Sequence, residues 1–389
     1  MSQQTWTLTD VETGTYVEQV ELTRREIKRA PRGFHISKQT LRGGLQDGVD
    51  LLHINNGRVA LDILPTRGMS IWRASIDNDT VGWGSPVRGP VHPKFVDLGE
   101  PSGLGWLDGF DELMVRCGLE SNGAPEFDEN GILVYPLHGR IGNRPAQHVS
   151  VHVDEDEEMI TVRSVVEETR FHFLKVRLVT ELTTRFGENA FHIHDVVQNI
   201  SASPAAIQML YHTNFGQPLL DAGAQLVAPV QTLVPRNDHA ATGISTWDSY
   251  PAAEAGYEEQ VYFLQLVADT DGATRMMLKN AHGTRGVSLQ YNISTLPCFT
   301  VWKNTTASED GCVTGLEPGT NYPNPRSFEG EQGRVAQLDA GGQVEFQFGM
   351  AFQQSAEEVM GVEQVIRRLQ GNHQAEIFES PQPGWCADL

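Results

Sequence analysis

The chain has 389 residues with 50 acidic and 29 basic side chains, so its formal net charge is −21 at pH 7. A field of this sign disfavours nucleic acid and acidic membrane surfaces as partners, because neutralising phosphates requires clustered Lys and Arg. Hydrophobic residues make up 39% of the chain, and 38 Gly and 20 Pro are near average usage, so the composition predicts a globular protein with a sizeable core.

The N-terminus and the cysteines predict the compartment. The sequence MSQQTWTLTDVETG lacks the basic and apolar segments of a secretory signal. No run of about 18 apolar residues predicts a membrane span. The four cysteines are scattered and form no C-x-x-C pair, which predicts free thiols: Cys117, Cys298, Cys312 and Cys386. We therefore expect a cytoplasmic protein.

Most of the chain has the two-residue periodicity of β-strands. In 148–182, apolar and polar residues alternate on both sides of the acidic run from Asp154 to Glu158, which predicts a hairpin with a solvated tip. Further strands are predicted at 190–198, 260–268, 287–293, 298–303 and 343–352. Because short Gly, Pro, Asn and Asp connections separate these strands and no helices intervene, we expect an all-β protein built as a large antiparallel sandwich.

Two regions depart from this pattern. Residues 81–136 are rich in Gly, Pro and Trp and predict a packed loop beside a functional site, with one short helix at 111–118. Near the C-terminus, Ser355 and Glu358 form a capping box before an amphipathic repeat, which predicts a helix over about 355–370. No linker divides the chain, so we expect a single domain over 1–389 with an N-terminal extension of about 50 residues.

Two histidine motifs place polar side chains at turns or strand ends. In Leu137-His138-Gly139-Arg140, the glycine lets a ligand approach the backbone, and the Arg140 guanidinium is suited to hydroxyls or a carboxylate. In Tyr211-His212-Thr213-Asn214-Phe215-Gly216, donors and acceptors lie among aromatic rings, as a sugar-sized ligand requires. A purely structural histidine is the alternative for each motif.

A glutamate motif supplies a candidate base. Glu317 follows the apolar strand 312–316 and precedes a Pro/Gly/Asn turn, so burial beside apolar residues would raise its pKa toward that of a useful general base. A surface glutamate at a turn is the alternative. His192 and His194 have the H-x-H spacing of zinc ligands but no third ligand is evident, so we expect a polar sheet face and no metal.

The motifs L-H-G, Y-H-T-N-F-G and G-L-E-P-G-T-N-Y-P-N occur in this order, the last after T-V-W-K-N. In this combination the sequence resembles the aldose 1-epimerase (galactose mutarotase) family, and most closely its bacterial mutarotase-like branch of unknown substrate. The resemblance runs from about Asn55 to about Phe348 and is strongest over 287–324. It implies a β-supersandwich with a shallow sugar-binding cleft on one sheet.

The resemblance also implies residue roles. Glu317 corresponds to the family's catalytic base and His212 to its acid, while His138 corresponds to the histidine that assists at the ring oxygen. Arg67, in Pro-Thr-Arg-Gly-Met, is a candidate contact for a sugar hydroxyl, and Asn214 lies in the histidine motif.

The sequence departs from the family pattern at two points. Arg140 stands where sugar mutarotases usually carry a second glycine. The family's substrate-binding aspartate has no clear counterpart, and Asp248 and Glu258 are the nearest candidates.

These residues predict an enzyme that interconverts the anomers of a free sugar or sugar derivative by general acid and base catalysis, without a cofactor. Trp302 is a candidate to stack on a sugar face, with an ordinary core residue as the alternative. Lys303 is a candidate to contact a hydroxyl or an acidic substituent. The several basic candidates predict a locally positive pocket suited to an anionic sugar. A carbohydrate-binding or sensing protein without turnover, and an enzyme using the same pair on an oxidised sugar, are the alternatives. The expected partner is a small-molecule carbohydrate, and a homodimer is an alternative to a monomer.

Overall fold

β-Strands dominate the computed structural model, which describes residues 3–77 and 79–387. In chain order the strands are β1 (Gln3–Asp10), β2 (Thr15–Tyr16), β3 (Gln19–Leu22), β4 (His35–Thr40), β5 (Asp50–Asn55), β6 (Val59–Leu64), β7 (Ser70–Ile76), β8 (Asp79–Val81), β9 (Met114–Leu119), β10 (Glu126–Phe127), β11 (Leu133–Tyr135), β12 (Ala146–Asp154), β13 (Met159–Thr169), β14 (Lys175–Arg185), β15 (Ala190–Asn199), β16 (Ala205–Phe215), β17 (Gln225–Val227), β18 (Val230–Pro235), β19 (Gln260–Leu266), β20 (Ala273–Lys279), β21 (Gly286–Asn292), β22 (Cys298–Asn304), β23 (Val313–Gly319), β24 (Ala336–Leu338), β25 (Gln343–Gln353) and β26 (Glu376–Ile377).

Helices are few and short. The α-helices of the described residues are α1 (Asp238–Thr242), α2 (Arg326–Glu331) and α3 (Ala356–Gln370). Short 3-10 helices span Gly44–Gln46, Pro65–Arg67, Pro93–Phe95, Gly105–Gly109, Ile141–Asn143, Ile244–Thr246 and Ser308–Asp310. Within the described ranges, no helix combines the length and the apolar character needed to cross a membrane.

Helix α3 confirms the predicted C-terminal amphipathic helix. The Ser355 hydroxyl accepts a hydrogen bond from the Glu358 backbone N–H, which satisfies one of the free donors at the helix start. Val359 and Ile366 are buried and pack with Met277 of β20. The helix is therefore docked by its apolar face on the outside of the sandwich.

The strands form two large sheets. One sheet has ten strands in the order β17-β20-β21-β25-β15-β14-β13-β12-β1-β2. The other has fourteen, in the order β26-β18-β19-β22-β23-β16-β9-β7-β6-β5-β4-β3, with β24 and β8 added at its margins. Neighbouring strands pair antiparallel, apart from the parallel contact of β18 with β26. This arrangement confirms the predicted all-β, mainly antiparallel class, and strands β1 to β4 of the N-terminal region belong to the two sheets.

The main core lies between the sheets. Strand β14 alternates buried and half-buried residues, and its buried apolar side chains, Val176, Leu178 and Leu182, belong to one cluster with residues of the larger sheet. Tyr211 of β16 stacks on Phe348 of β25 with ring centroids 5.0 Å apart. The odd-numbered side chains of β16 therefore face the other sheet, and the even-numbered side chains point to the outside.

Residues 111–118 are not the predicted helix. They enter strand β9, which pairs with β16 on one side and β7 on the other. Every residue of β9 is buried, because Met114 packs into the core between the sheets, whereas Val115 and Cys117 pack against Trp106 and Phe110. A strand buried on both faces has a continuous apolar run, which the sequence pattern does not distinguish from a short helix.

Candidate active site

A cavity of about 320 Å³ opens on the outer face of the fourteen-stranded sheet, over β16, β22 and β23. Trp106 and Phe110 of the 81–136 segment and Trp302 of β22 supply aromatic walls. The polar side chains that line it are His138, His212, Arg236, Glu259, Thr300 and Glu317. Aromatic faces combined with a few convergent polar groups are typical of a site for a small, hydroxyl-rich ligand.

Glu317 and His212 meet on the cavity floor. They project from the adjacent antiparallel strands β23 and β16, and Glu317 Oε1 lies 3.3 Å from His212 Nε2. Gly315 lies beneath them, where an added Cβ would be 2.5 Å from Glu317 Oε1 and 3.2 Å from His212 Cε1. The missing side chain at Gly315 therefore makes room for the contact.

Burial sets the protonation of this pair. Loss of water raises the pKa of Glu317 to about 8, with a further increase from the Glu259 carboxylate and an opposing effect from Arg236. Burial lowers the pKa of His212 well below its usual value, and His138 lowers it further. At neutral pH the pair therefore holds one proton, on Glu317. His212 is therefore neutral in this resting state, because burial disfavours its charged form.

His138 presents a hydrogen-bond acceptor to the cavity. Its Nδ1 lies 2.9 Å from the backbone oxygen of Asn122, and since a carbonyl can only accept, Nδ1 carries the proton and Nε2 the lone pair. Burial lowers the pKa of His138 to about 4, which keeps the ring neutral. Its ring centroid lies 4.6 Å from that of Trp106 and 5.1 Å from that of His212.

The L-H-G turn that carries His138 has an unusual backbone. His138 has φ 55° and Gly139 has φ 73°, both in the left-handed region. A Cβ at Gly139 would overlap the backbone oxygens of Ser121 and Gly118, so only glycine fits there.

Thr300 and Trp302 of β22 and Glu259, which precedes β19, complete the polar lining. Thr300 is paired in register with Glu317, and its buried hydroxyl has no hydrogen-bond partner among residues 3–77 and 79–387. Trp302 Nε1 donates to Glu259 Oε2 at 2.7 Å, which orients both side chains at the rim. A ligand hydroxyl would satisfy Thr300 in a way that the described protein groups do not.

Glu259 is the acidic residue that lines the cavity in addition to Glu317. The sequence suggested Asp248 or Glu258 for this role, but neither lines the cavity. Glu258 instead lies with its Oε2 3.7 Å from His239 Nδ1.

Two predicted substrate contacts, Arg67 and Lys303, lie away from the cavity. Arg67 is 1% exposed and donates to Glu112 Oε1 at 2.7 Å and to Asn143 Oδ1 at 2.9 Å. Lys303 follows Trp302 on β22 and so faces the opposite side, where its Nζ donates to the backbone oxygens of Thr246 and Ser249. Both cations are engaged inside the protein, and the structure assigns them structural contacts instead of substrate contacts.

Asn214 and Arg140 also do not line the cavity. Asn214 is fully buried two residues after His212 on the same face of β16, and its side chain opposes the burial that lowers the pKa of His212. The backbone N–H of Arg140 donates to Gly118 O at 2.8 Å, and its side-chain Nε is buried without a partner among the described residues. Of the eight predicted site residues, the structure brings together Glu317, His212, His138 and Trp302.

Comparison with known proteins identifies the family. Residues 46–352 match the family described as Domain of unknown function (DUF4432). The chain belongs to the DUF4432 family. The DUF4432 protein is also similar to a crystal structure described as a "putative aldose 1-epimerase" from Klebsiella pneumoniae subsp. pneumoniae MGH 78578, with 37% identity and a TM-score of 0.94 over 97% of this chain and 99% of that one. It is thus a member of the aldose 1-epimerase (galactose mutarotase)-like proteins, as the motifs predicted.

More distant structures share the fold alone. A galactose mutarotase-like protein from Clostridium acetobutylicum is 13% identical, with a TM-score of 0.56 over 82% of the DUF4432 protein and 99% of that chain. The galactose 1-epimerase from Lactobacillus acidophilus NCFM is 11% identical, with a TM-score of 0.53 over 83% and 100%. No curated protein matches the chain.

Sequence reasoning missed five residues that line the cavity of the DUF4432 protein: Trp106, Phe110, Arg236, Glu259 and Thr300. Signals were present for three of them. Trp106 and Phe110 belong to the Gly- and Trp-rich segment, and Thr300 precedes Trp302 by two residues on the same strand face. Arg236 and Glu259 carry no local motif, and they reach the site only because β18 and β19 pair.

Proposed function

We propose that the DUF4432 protein is an aldose 1-epimerase-like enzyme that interconverts the anomers of a sugar, with Glu317 as the base and His212 as the acid in ring opening. The observation that carries this proposal is the 3.3 Å contact of these two side chains on the floor of an aromatic cavity. The 37% identical Klebsiella pneumoniae protein, described in the same terms, supports it.

The pair is suited to this reaction because it holds one proton between two groups. Transfer of that proton from Glu317 to His212 produces a carboxylate and an imidazolium together. Glu317 then takes the proton of the anomeric hydroxyl, the bond between C1 and the ring oxygen breaks with its electrons moving to that oxygen, and His212 protonates it. The pair has then returned to its resting state, with the proton on Glu317.

Ring closure completes the exchange. Rotation about the C1–C2 bond of the open-chain aldehyde presents its other face, and the same proton transfers in reverse form the other anomer. The two oxygens involved are bonded to one carbon, so an acid and a base in contact with each other have the right spacing. Each positioned group contributes about 10²- to 10⁴-fold in such reactions.

The remaining cavity groups would bind the sugar. Trp106, Phe110 and Trp302 offer apolar surface for its C–H faces. The Thr300 hydroxyl, the acceptor nitrogen of His138 and the Glu259 carboxylate are available for its hydroxyl groups.

Anomer exchange measured by NMR on a panel of neutral and acidic sugars tests the proposal. We expect Glu317→Gln, which keeps the shape but removes the ionisable group, to lower the exchange rate constant by about 10²-fold or more. Glu345→Gln is the matched control, because Glu345 is exposed on the ten-stranded sheet and contacts His194 instead of the cavity. Circular dichroism and thermal unfolding would establish that both variants fold.

The outcomes separate the alternatives. Exchange by the wild type that Glu317→Gln leaves unchanged would contradict the assignment. Sugar binding without exchange would indicate a carbohydrate-binding protein instead. A product altered at a carbon other than C1 would indicate an enzyme using the same pair on an oxidised sugar.

A further inference from the structure

Arg236 is a cation of the cavity that the proposed acid and base chemistry does not use. It follows β18, and its backbone N–H donates to Val261 O at 3.0 Å. Its side chain lines the cavity, half-buried, and its guanidinium makes no hydrogen bond or ion pair with any residue in 3–77 and 79–387. The buried arginines of the sheets differ in this respect, since Arg67 and Arg116 are each paired with a carboxylate.

Among residues 3–77 and 79–387, none forms an ion pair with Arg236 in the resting cavity. Glu259 is an acidic residue of the same cavity, but its Oε2 accepts the Trp302 indole N–H and no pair of atoms joins it to Arg236 within 4.0 Å. Glu317 carries the proton of the catalytic pair at neutral pH, and His138 and His212 are neutral. The guanidinium nevertheless acts on the site, since its charge lowers the pKa values of both Glu317 and His138.

A guanidinium that no described residue pairs with selects for an anion in such a cavity. Arg presents a planar fork of N–H donors that matches the two oxygens of a carboxylate, and such charge-assisted pairs are stronger than bonds to neutral hydroxyls. The cavity volume of about 320 Å³ is at the lower end for small-molecule sites, which is suited to a monosaccharide.

We propose that Arg236 binds an acidic substituent of the substrate, so that the site acts on aldoses that carry a carboxylate, the class of the uronic acids. This inference rests on the proposed function. The anomeric carbon of the sugar would lie at Glu317 and His212, and its acidic substituent at Arg236 in the same cavity. The sequence also predicted an anionic sugar, but from Arg67, Arg140 and Lys303, which do not line the cavity. Arg236 lines it and now supports that prediction.

The experiment compares acidic and neutral sugars of the same stereochemistry. Anomer exchange is measured by NMR for D-glucuronate against D-glucose and for D-galacturonate against D-galactose, with the wild type, Arg236→Gln and Arg236→Lys. We expect the wild type to have the higher kcat/KM for an acidic sugar, and Arg236→Gln to lower the acidic-to-neutral ratio at least about tenfold, the loss expected for one charge-assisted hydrogen bond. Arg236→Lys should restore part of the ratio, because it keeps the charge and loses the fork.

A matched control removes a different arginine. Arg163→Gln acts on a side chain that is 62% exposed on the ten-stranded sheet and pairs there with Glu181. It should leave the ratio at the wild-type value. A ratio that falls equally in this variant would overturn the inference, since the effect would then come from net charge alone.

Direct binding distinguishes the inference from the proposed function. Equal kcat/KM for acidic and neutral sugars, or a ratio unaffected by Arg236→Gln, would overturn the inference and leave the mutarotase proposal in place. Uronate binding without exchange, detected by saturation-transfer NMR and lost in Arg236→Gln, would support the anion site and contradict the proposed activity. Absence of both binding and exchange with every sugar would overturn both.

Discussion

The single proton held by Glu317 and His212 determines how the site responds to pH. Burial disfavours each charged form, so the pKa of Glu317 rises to about 8 and that of His212 falls well below its usual value. The working form proposed above contains one proton, which can move from the carboxyl group to the imidazole. Loss of that proton leaves a base without an acid, and gain of a second leaves an acid without a base.

We therefore predict that enzyme-catalysed exchange is constant near neutral pH and falls above pH 8. The rate falls with rising pH because only the pair that holds one proton is active. Once the pH exceeds the pKa of Glu317, kcat/KM should decrease about tenfold per pH unit. The measurement is the NMR exchange rate from pH 6 to pH 10, corrected for exchange without enzyme at each pH. A catalysed rate that rises through pH 8 would contradict the shared proton and indicate that the carboxylate alone is required.

Asn214 lies two residues after His212 on the same face of β16, where it can select the nitrogen of His212 that faces Glu317. The Asn214 side-chain N–H₂ donates to the Glu112 backbone oxygen at 3.0 Å, which turns its Oδ1 the other way. That oxygen and His212 Nδ1 are both buried, and neither makes a hydrogen bond with another described residue. With Nδ1 as the N–H directed at Asn214, the lone pair of Nε2 is directed at the Glu317 proton.

Replacement of Asn214 by Leu should therefore lower kcat more than it raises KM. We expect a loss of about 10²-fold in kcat, the size of effect caused by a misplaced catalytic group. Asn214→Asp keeps an acceptor oxygen and adds a charge that raises the pKa of His212, so it should retain more activity and shift the acidic limb of the pH profile upward.

The neighbouring Thr213 provides the control for this prediction. Its hydroxyl bonds to Leu316 O and has no contact with the histidine, so Thr213→Val should leave the pH profile in place. If Asn214→Asp shifts no limb of the profile, Asn214 has a packing role only.

The sequence predicted four of the side chains in the proposed site and missed five that the proposals also use. Glu317, His212 and His138 were recognisable because each belongs to a motif with a family resemblance. Arg67 and Asn214 lie in equally distinctive motifs, yet both are buried and neither lines the cavity. A motif shows that a residue is constrained, but it does not show whether the constraint comes from a ligand or from the fold.

At the scale of the strand, periodicity held more information than we used. Thr300 and Trp302 share the cavity face of β22, and Lys303 necessarily points to the other face. Its ammonium group is buried there, donates to two backbone oxygens, and has its pKa lowered to about 8 by burial. The two-residue period that predicted the strand would have excluded Lys303 from a site containing Trp302.

The 81–136 segment shows where strand periodicity fails. Its Gly, Pro and Trp content correctly predicted a packed loop, and the 3-10 turn Gly105–Gly109 with Phe110 brings two aromatic rings over His212. Strand β9 within it was missed because its neighbours, β16 and β7, come from distant parts of the sequence. Burial on both faces removes the alternation on which local prediction depends.

For the whole molecule, the net charge of −21 describes the surface and not the cavity. At the β12–β13 turn, Asp156, Glu157 and Glu158 are exposed, whereas Asp154 is buried and accepts the backbone N–H groups of Asp156 and Glu157. The acidic run is therefore solvated except for the one residue that forms the turn. The antiparallel architecture was predictable from such turns and alternating strands, while the order of strands in each sheet was not.

The two sheets are joined by a buried ion pair beneath the site. Arg116 of β9 donates to Asp195 of β15 through Nε at 2.6 Å and Nη2 at 3.1 Å. Asp195 also accepts from Tyr211 at 2.7 Å and from Thr180 at 2.5 Å, and it is completely buried. Tyr211 precedes His212 on β16, so this network fixes the strand that carries the proposed catalytic histidine.

We predict that Asp195→Asn destabilises the protein far more than loss of an exposed ion pair does. Removing one partner leaves the buried Arg116 guanidinium uncompensated, which costs about 3–5 kcal/mol of the free energy of unfolding. Glu181→Gln breaks the exposed pair with Arg163, whose side chains are 38% and 62% exposed, and should cost less than about 1 kcal/mol. Urea unfolding followed by tryptophan fluorescence measures both free energies of unfolding.

The double variant Arg116→Met/Asp195→Leu removes both charges and should recover much of the lost stability. Equal destabilisation by Asp195→Asn and Glu181→Gln would mean that the network does not hold the sheets together.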